Sequence, residues 1–476
     1  MDMKNNVVSI GLVGFGLDTY WPQFYGLLDK LKGFQEKIAQ NIQRDDANIV
    51  NVGIVDSQSS AIEAARRLKS ENVEALFVFV ATYSLSSTLL PVVRTLNIPV
   101  ILLNLQPSSH IDYEYLNGLG DRGKMTGEWL SYCQACSIPE YSNIMNRTGI
   151  PYEIVTGHLQ DEEVWQELRE WISAIVAVSR FRQSSLGILG HYYCGMLDVY
   201  TDVTKMSTTF GTHVVMLEMC ELKADMDKIA EDETESKIQE FRQAFNVSPE
   251  CPAEELVRAA RTSIALDKLV ESHNLGALAY YYEGQNGNVY QDIVTSLIPG
   301  CTLLTGRDIP AAGECEVKNA LAMKLMSLLG AGGSFSEFYA MDFDDDVVLL
   351  GHDGPAHSNM SEGKVGLVPV PVYHGKPGKG LSIQMTVKYG PVTLLSICER
   401  PTGVALLVAE GESVPGPVLR IGNANSRYKF SCGSKDFIEK WSKNGPSHHC
   451  AIGVGHVATQ LQKVALLSGV QYVRIC

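Results

Sequence analysis

Residues 75–105, ALFVFVATYSLSSTLLPVVRTLNIPVILLNL, decide the fold class. Two runs dense in β-branched and aromatic residues, ALFVFVAT and PVILLNL, flank a segment through Leu96 that reads as a helix. Strand, helix and strand in so short a span make a βαβ unit, and the crossover obliges its two strands to run parallel.

Reading outward, the alternation repeats. VSIGLVGF at 8–15, IVNVGIVD at 49–56 and YEIVTG at 152–157 read as further strands, with SSAIEAARRLKS at 59–70 and DEEVWQELREWISAIVAVSRFRQ at 161–183 as helices. A first α/β domain over residues 1–182 follows. A second alternation begins with SLGILGHYY at 185–193, continues through HVVMLEM at 213–219, one charged helix over 224–245, another over 252–274 and ALAYYYEG at 277–284, and ends with EVKNALAMKLMSLLG at 316–330. This gives a second domain over 183–330. Beyond Gly330 the pattern changes to short strands broken by Gly and Pro: VVLLG, KVGLVPVPVYHG, LSIQMTVKYG, PVTLLSICER, GVALLVAEGE and PVLRIG. The expected architecture is therefore two doubly wound Rossmann-like α/β domains followed by a β-rich, antiparallel barrel-like domain over 331–476.

With 39 Lys and Arg against 54 Asp and Glu, the formal charge of −15 repels phosphate backbones and anionic lipid, so neither nucleic acid nor membrane is an expected partner. The N-terminus lacks the basic, apolar and small-residue regions of a signal peptide, and no run approaches the roughly 18 to 20 apolar residues of a membrane span. Eleven scattered cysteines then read as free thiols in a reducing cytoplasm, with Cys133 and Cys136 inside a helix rather than in a redox turn.

Histidines and carboxylates gather in the last third: GECEVKN at 313–319, SFSEFYAMD at 334–342, LLGHDGPAH at 349–357, VYHGKPGKG at 372–380 and GPSHHC at 445–450. Each lies beside Gly, Pro or Ser, at element ends where separate segments can converge. Taken singly, Glu314 beside Glu316 reads as a solvated helix start, and Asp342 to Asp346 as a solvated turn. Taken together, two Glu and two His suit Mn²⁺ or a similar divalent ion, since carboxylates are hard donors and imidazole is borderline. VGFGLDT lacks the third glycine of a dinucleotide fingerprint and GKPGKGLS lacks the G-K-[ST] of a phosphate loop, so no nucleotide cofactor is expected.

These segments resemble the L-arabinose isomerase and L-fucose isomerase superfamily, thinly over nearly the whole chain and most specifically in the last third. GECEVKNALAM is similar to the segment whose metal-binding Glu opens a helix, which implies Glu314. GGSFSEFYAM implies Glu337, DVVLLGHDG implies His352, and GPSHHC implies His449 as ligand with His448 facing substrate. Weaker similarities imply substrate contacts at Tyr20 and Trp21 in GFGLDTYWPQ, at His110 in SSHIDYEYLNGLGDR, and at Met196 in GHYYCGMLDVYTD. Lys376 stands beside the site as a contact for an anionic substituent.

The resemblance implies an aldose–ketose isomerase with Mn²⁺, or Co²⁺ or Mg²⁺ in its place. It further implies a homo-oligomer with active sites at subunit interfaces, where His110 reaches a neighbouring subunit's site. In such chemistry the ion acts as a Lewis acid for a cis-enediolate while Glu314 and Glu337 transfer the proton. A sugar-binding protein that kept the scaffold and lost turnover is the other reading.

Overall fold

The computed structural model describes residues 7–283, 287–370 and 379–476, with the backbone alone at 372–373 and 376–377. The chain divides between Ser179 and Arg180 into two compact units.

The N-terminal unit is built on β1 (Val8–Phe15), β2 (Ala47–Val55), β3 (Ala75–Val80), β4 (Val100–Gln106) and β5 (Tyr152–His158), ordered β2-β1-β3-β4-β5 with every pairing parallel. Every residue of β3 is buried, which explains its unbroken apolar run: a parallel strand in mid-sheet has no solvent face to alternate toward. The helix after it, Ser86–Leu96, ends at Asn97, whose left-handed φ of 50° turns the chain into β4.

One expectation fails in this unit. Cys133 and Cys136 lie in a turn between the helices Arg122–Leu130 and Ile138–Thr148, and they are joined as a disulfide rather than being free thiols within one helix. The helix stops because buried polar groups here bond to the loop after β3. Gln134 Nε2 donates to the Ala81 carbonyl at 3.0 Å and Ser137 Oγ to that of Ser84 at 2.9 Å. Left in the interior without those partners, each group would cost about 1–3 kcal/mol.

The C-terminal unit begins with a second parallel sheet of β6 (Ser185–Gly190), β7 (His213–Leu217), β9 (Leu275–Tyr281) and β10 (Ala311–Ala312), ordered β10-β9-β6-β7. Between β7 and β9 stands the short β8 (Asn246–Val247). The single charged helix expected over 224–245 is two helices, Met219–Met226 and Glu231–Ala244. The second starts afresh because the Glu233 carboxylate reaches back to the Ala230 N–H at 3.0 Å, a cap that a continuous helix has no use for.

The remaining strands are β11 (Ser334–Asp342), β12 (Val347–His352), β13 (Gly366–Pro369), β14 (Val372–Tyr373), β15 (Lys376–Pro377), β16 (Leu381–Gln384), β17 (Gly390–Arg400), β18 (Gly403–Val414), β19 (Ala424–Phe430), β20 (His449–Val454) and β21 (Gln471–Arg474). Six of them form an antiparallel barrel in the order β17-β20-β11-β12-β19-β18, closed by pairing of β17 with β18. Closure leaves these six strands without a free edge. β21 pairs parallel with β18 beyond the ring.

Two strand readings are corrected. GLVP and LSIQ leave the barrel and form a small sheet, β16-β13-β8. PVLRIG at 417–422 is not a strand, and its place is taken by ANSRYKF at 424–430. The Asn425 side chain explains the exchange. Its amide pairs with both the N–H and the carbonyl of Leu419 at 2.9 Å, so the 417–422 segment is held as a loop against the strand that follows. Among the described residues no helix is long and apolar enough to cross a membrane.

Candidate metal centre

Three neighbouring barrel strands bring the polar residues of the last third together. In the β11–β20 register Glu337 stands opposite His449, and in the β11–β12 register it stands opposite Gly351, one residue before His352. Glu314 arrives from the other side, in the loop between β10 and the helix Val317–Leu328. That loop is strained, since Glu314 and Cys315 take consecutive left-handed φ values of 55° and 58°. Side chains other than glycine's pay about 1–3 kcal/mol each for such a conformation, and it persists only where the surroundings impose it. Here three backbone bonds do so: Cys315 N–H to Tyr280 O at 3.0 Å, Glu316 N–H to Gly313 O at 3.0 Å and Tyr193 N–H to Glu314 O at 3.4 Å.

The result is a knot of buried donors. His449 Nε2 lies 3.3 Å from Glu314 Oε2, and His352 Nε2 lies 3.8 Å from Glu314 Oε1. One ligand atom from each of Glu314, His352 and His449 falls within 4.8 Å of the others, and Glu337, His448 and His449 make a second such group. Phe335 packs against both imidazoles, its ring centroid 4.3 Å from that of His352 and 4.5 Å from that of His449. Glu314 Oε2, His352 Nδ1 and both ring nitrogens of His449 are buried without a hydrogen-bond partner among the described residues. Native interiors rarely leave such atoms unmatched. Carboxylate and imidazole donors converging with lone pairs unspent fit a divalent cation of the first transition row.

Behind the ligating atoms stands a further layer. Glu316, wholly buried, directs Oε2 to within 3.6 Å of His449 Nδ1 and faces Lys318 Nζ at 3.5 Å through Oε1. His448 Nδ1 meets Asp198 Oδ2 at 2.6 Å while its Nε2 lies 3.6 Å from Glu314 Oε2. Burial alone would raise the Glu314 carboxyl, but its contacts with His352, His448 and His449 override this and hold it far below the usual carboxylate range. The same Glu314 contact, opposed by burial and aided by Asp198, lifts His448 to about 9. A cleft opens onto Glu314 and His352, walled by Tyr280, Tyr281, Asp353 and Lys379 among others.

Comparison with known proteins points to one group of enzymes. The profile of the L-arabinose isomerase N-terminal domain matches residues 23–183. L-arabinose isomerase 1 of Bacillus licheniformis is 21% identical over 440 residues, 88% of this chain and 84% of that protein. L-arabinose isomerase of Anoxybacillus flavithermus is 22% identical over 480 residues, 94% and 90% of the two chains, and that of Aeromonas salmonicida 22% over 428, 85% and 81%. The chain is similar to L-arabinose isomerases over most of its length, at low identity. A solved periplasmic solute-binding protein from Actinobacillus succinogenes with bound D-allose aligns over 64% of this chain and 77% of its own at a TM-score of 0.14, too low to bear on the fold.

The other residues singled out from the sequence are placed as follows. Tyr20, Trp21 and His110 belong to the N-terminal unit, in the segments after β1 and β4, at the carboxyl ends where parallel sheets carry ligands. Trp21 Nε1 donates to Asp56 Oδ2 at 2.7 Å, and His110 is exposed, its carbonyl accepting from Ser108 Oγ at 2.8 Å. Met196 sits in the loop after β6, its N–H bonded to Tyr193 O at 3.4 Å. The Lys376 side chain lies outside the described residues, while Lys379 bonds Asp292 at 2.6 Å. Sequence reasoning did not assign Glu316 or Asp198. The E-x-E spacing at 314–316 was the available signal for Glu316, but an acidic residue before a helix ordinarily reads as dipole compensation.

Proposed function

We propose that this protein is a metal-dependent aldose–ketose isomerase, moving a carbonyl between C1 and C2 of a sugar, with Glu314, Glu337, His352 and His449 holding the ion. The observation that carries the reading is the convergence of Glu314, His352 and His449 with buried, unpartnered donor atoms, in a chain whose relatives are named L-arabinose isomerase. When bound, a divalent ion supplies Lewis acidity toward two adjacent sugar oxygens. Mn²⁺ suits the mixed carboxylate and imidazole set, with Co²⁺ or Mg²⁺ the alternatives.

The protein's own groups must move the proton between neighbouring carbons. Three imidazoles keep Glu314 ionised, which weakens it as a base and suits it to ligation. The transfer therefore runs chiefly through Glu337, half-buried on β11, with Glu314 flanking the same carbons. His448 presents Nε2 to the substrate side, and the Tyr281 wall of the cleft limits access of water. Tyr20, Trp21, Met196, Lys376 and His110 are proposed substrate contacts, His110 from a neighbouring subunit of a cytoplasmic homo-oligomer. The same proposal divides the chain into three domains, 1–182, 183–330 and 331–476, the first two doubly wound.

The test is a panel of aldoses, deoxy and acidic sugars included, assayed for ketose formation with Mn²⁺ and again after EDTA. Ketose formation that EDTA abolishes supports the reading. Sugar binding without turnover would favour a binding protein on the same scaffold. Glu337→Gln is expected to cut turnover by about 10²- to 10⁴-fold, the usual weight of a general acid/base, and full activity in that variant would sink the assignment. Incorporation of solvent deuterium at C2 separates proton transfer from a hydride shift.

A further inference from the structure

Asp198 ties two separate segments of the C-terminal unit together. Its Oδ2 accepts from the His448 backbone N–H at 2.9 Å and from His448 Nδ1 at 2.6 Å. Its carbonyl oxygen accepts from Lys318 Nζ at 2.7 Å and from Ser447 Oγ at 3.2 Å. The division of labour matters. The two backbone-carbonyl bonds hold the loop whatever side chain occupies position 198, and the two carboxylate bonds are spent wholly on His448.

An imidazole that donates its Nδ1 proton to a carboxylate is fixed in one ring orientation, with Nε2 on the opposite edge. In this chain Nε2 then lies 3.6 Å from Glu314 Oε2, at the centre of the site. Resting on the isomerase reading, we infer that Asp198 is a positioning residue: it holds the His448 ring with Nδ1 on its carboxylate and Nε2 turned inward, placed to hydrogen-bond a sugar hydroxyl. Asp198 does not touch the sugar. Its effect passes entirely through His448.

Long-range ¹H–¹⁵N spectra of the full chain labelled with ¹⁵N-histidine read the Nδ1 hydrogen bond directly, the His448 signals being identified by their loss in His448→Gln. The wild type is expected to show a downfield proton held on Nδ1 by Asp198, and Asp198→Ala to lose that signal. With Mn²⁺ and L-arabinose as probe, Asp198→Ala is expected to lose about 10²-fold in kcat/KM, and Asp198→Glu to regain part of it. Added to His448→Gln, Asp198→Ala should cost no more than about twofold further, since the two act as one unit. Mn²⁺ affinity by equilibrium dialysis should fall by less than the about tenfold that loss of a ligand's own partner brings.

An unchanged His448 Nδ1–H signal in Asp198→Ala overturns the inference, as does an equal loss of activity from Asp198→Ala with and without His448. If Asp198→Ala does not fold, Asp198→Asn carries the same comparison. Should the wild type isomerise no aldose at all, the isomerase reading falls, and the spectra still decide whether Asp198 sets the His448 ring.

Discussion

His449 Nε2 faces Glu314 Oε2 across 3.3 Å, and neither atom has a hydrogen-bond partner among the described residues. An unmatched buried polar group costs about 1–3 kcal/mol, so this pair destabilises the fold unless something binds between them. Mn²⁺ at a hundred times its dissociation constant should then stabilise the protein by about 2.7 kcal/mol, raising its melting temperature. EDTA should reverse the rise, and His449→Ala should abolish it. Thermal melts that ignore Mn²⁺ and EDTA alike would show that these residues hold no cation.

Glu316 supports a prediction of a different kind. Its carboxylate reaches His449 on the ring edge away from Glu314, at Nδ1, and outer partners of this sort orient an imidazole and raise its basicity. Glu316→Gln is expected to weaken Mn²⁺ binding by about 10- to 100-fold while leaving the ligating atoms in place. Equilibrium dialysis measures this directly. An unaltered affinity would mean that Glu316 serves only its pairing with Lys318.

The contrast between Glu314 and Glu316 shows how far a local signal reaches. Chemistry-bearing types beside Gly and Pro marked the segments that hold Glu314, Glu337, His352 and His449, while the resemblance chose the residues within them, and the strand periodicity placed β1, β3 and β4. Barrel closure was less legible. ANSRYKF carries buried Asn, Ser and Arg through a wall strand, and their burial is tolerable only because partners such as Leu419 and Asp345 come from elsewhere in the chain. The disulfide turn at Cys133 and Cys136 was hidden for the same reason: Gln134 and Ser137 are satisfied by Ala81 and Ser84, roughly fifty residues upstream. Asp198 had no local signal at all, since its meaning depends on a histidine 250 positions away.

Cys315 tests the strain in the loop that carries Glu314. At φ 58° and fully buried, it has room for a small side chain but not for a second branch at Cβ. Cys315→Ala should be tolerated, whereas Cys315→Val should destabilise the protein by about 1–3 kcal/mol more and weaken Mn²⁺ binding by displacing Glu314. Denaturant titration of the two variants side by side provides the measurement. Equal stabilities would show that the left-handed turn exacts no cost.

His357 gives a dependence on pH that is separate from the metal centre. It is buried, neither ring nitrogen has a hydrogen-bond partner among the described residues, and burial holds its pKa below the ordinary value of a histidine, with Asp308 opposing and Lys388 reinforcing that shift. The folded state thus refuses a proton that the unfolded chain accepts near about 6.5. Below that pH the unfolded state binds more protons than the folded one, so stability falls with falling pH, by at most about 1.4 kcal/mol per unit for a single group. Above it the group contributes no slope. His357→Leu removes the titration and keeps an apolar side chain in the same space. Denaturant midpoints at pH 7.5, 6.5 and 5.5 should show the wild type losing stability relative to His357→Leu as acid is added. A constant gap between the two proteins over that range would mean that the imidazole is protonated as easily in the fold as in water.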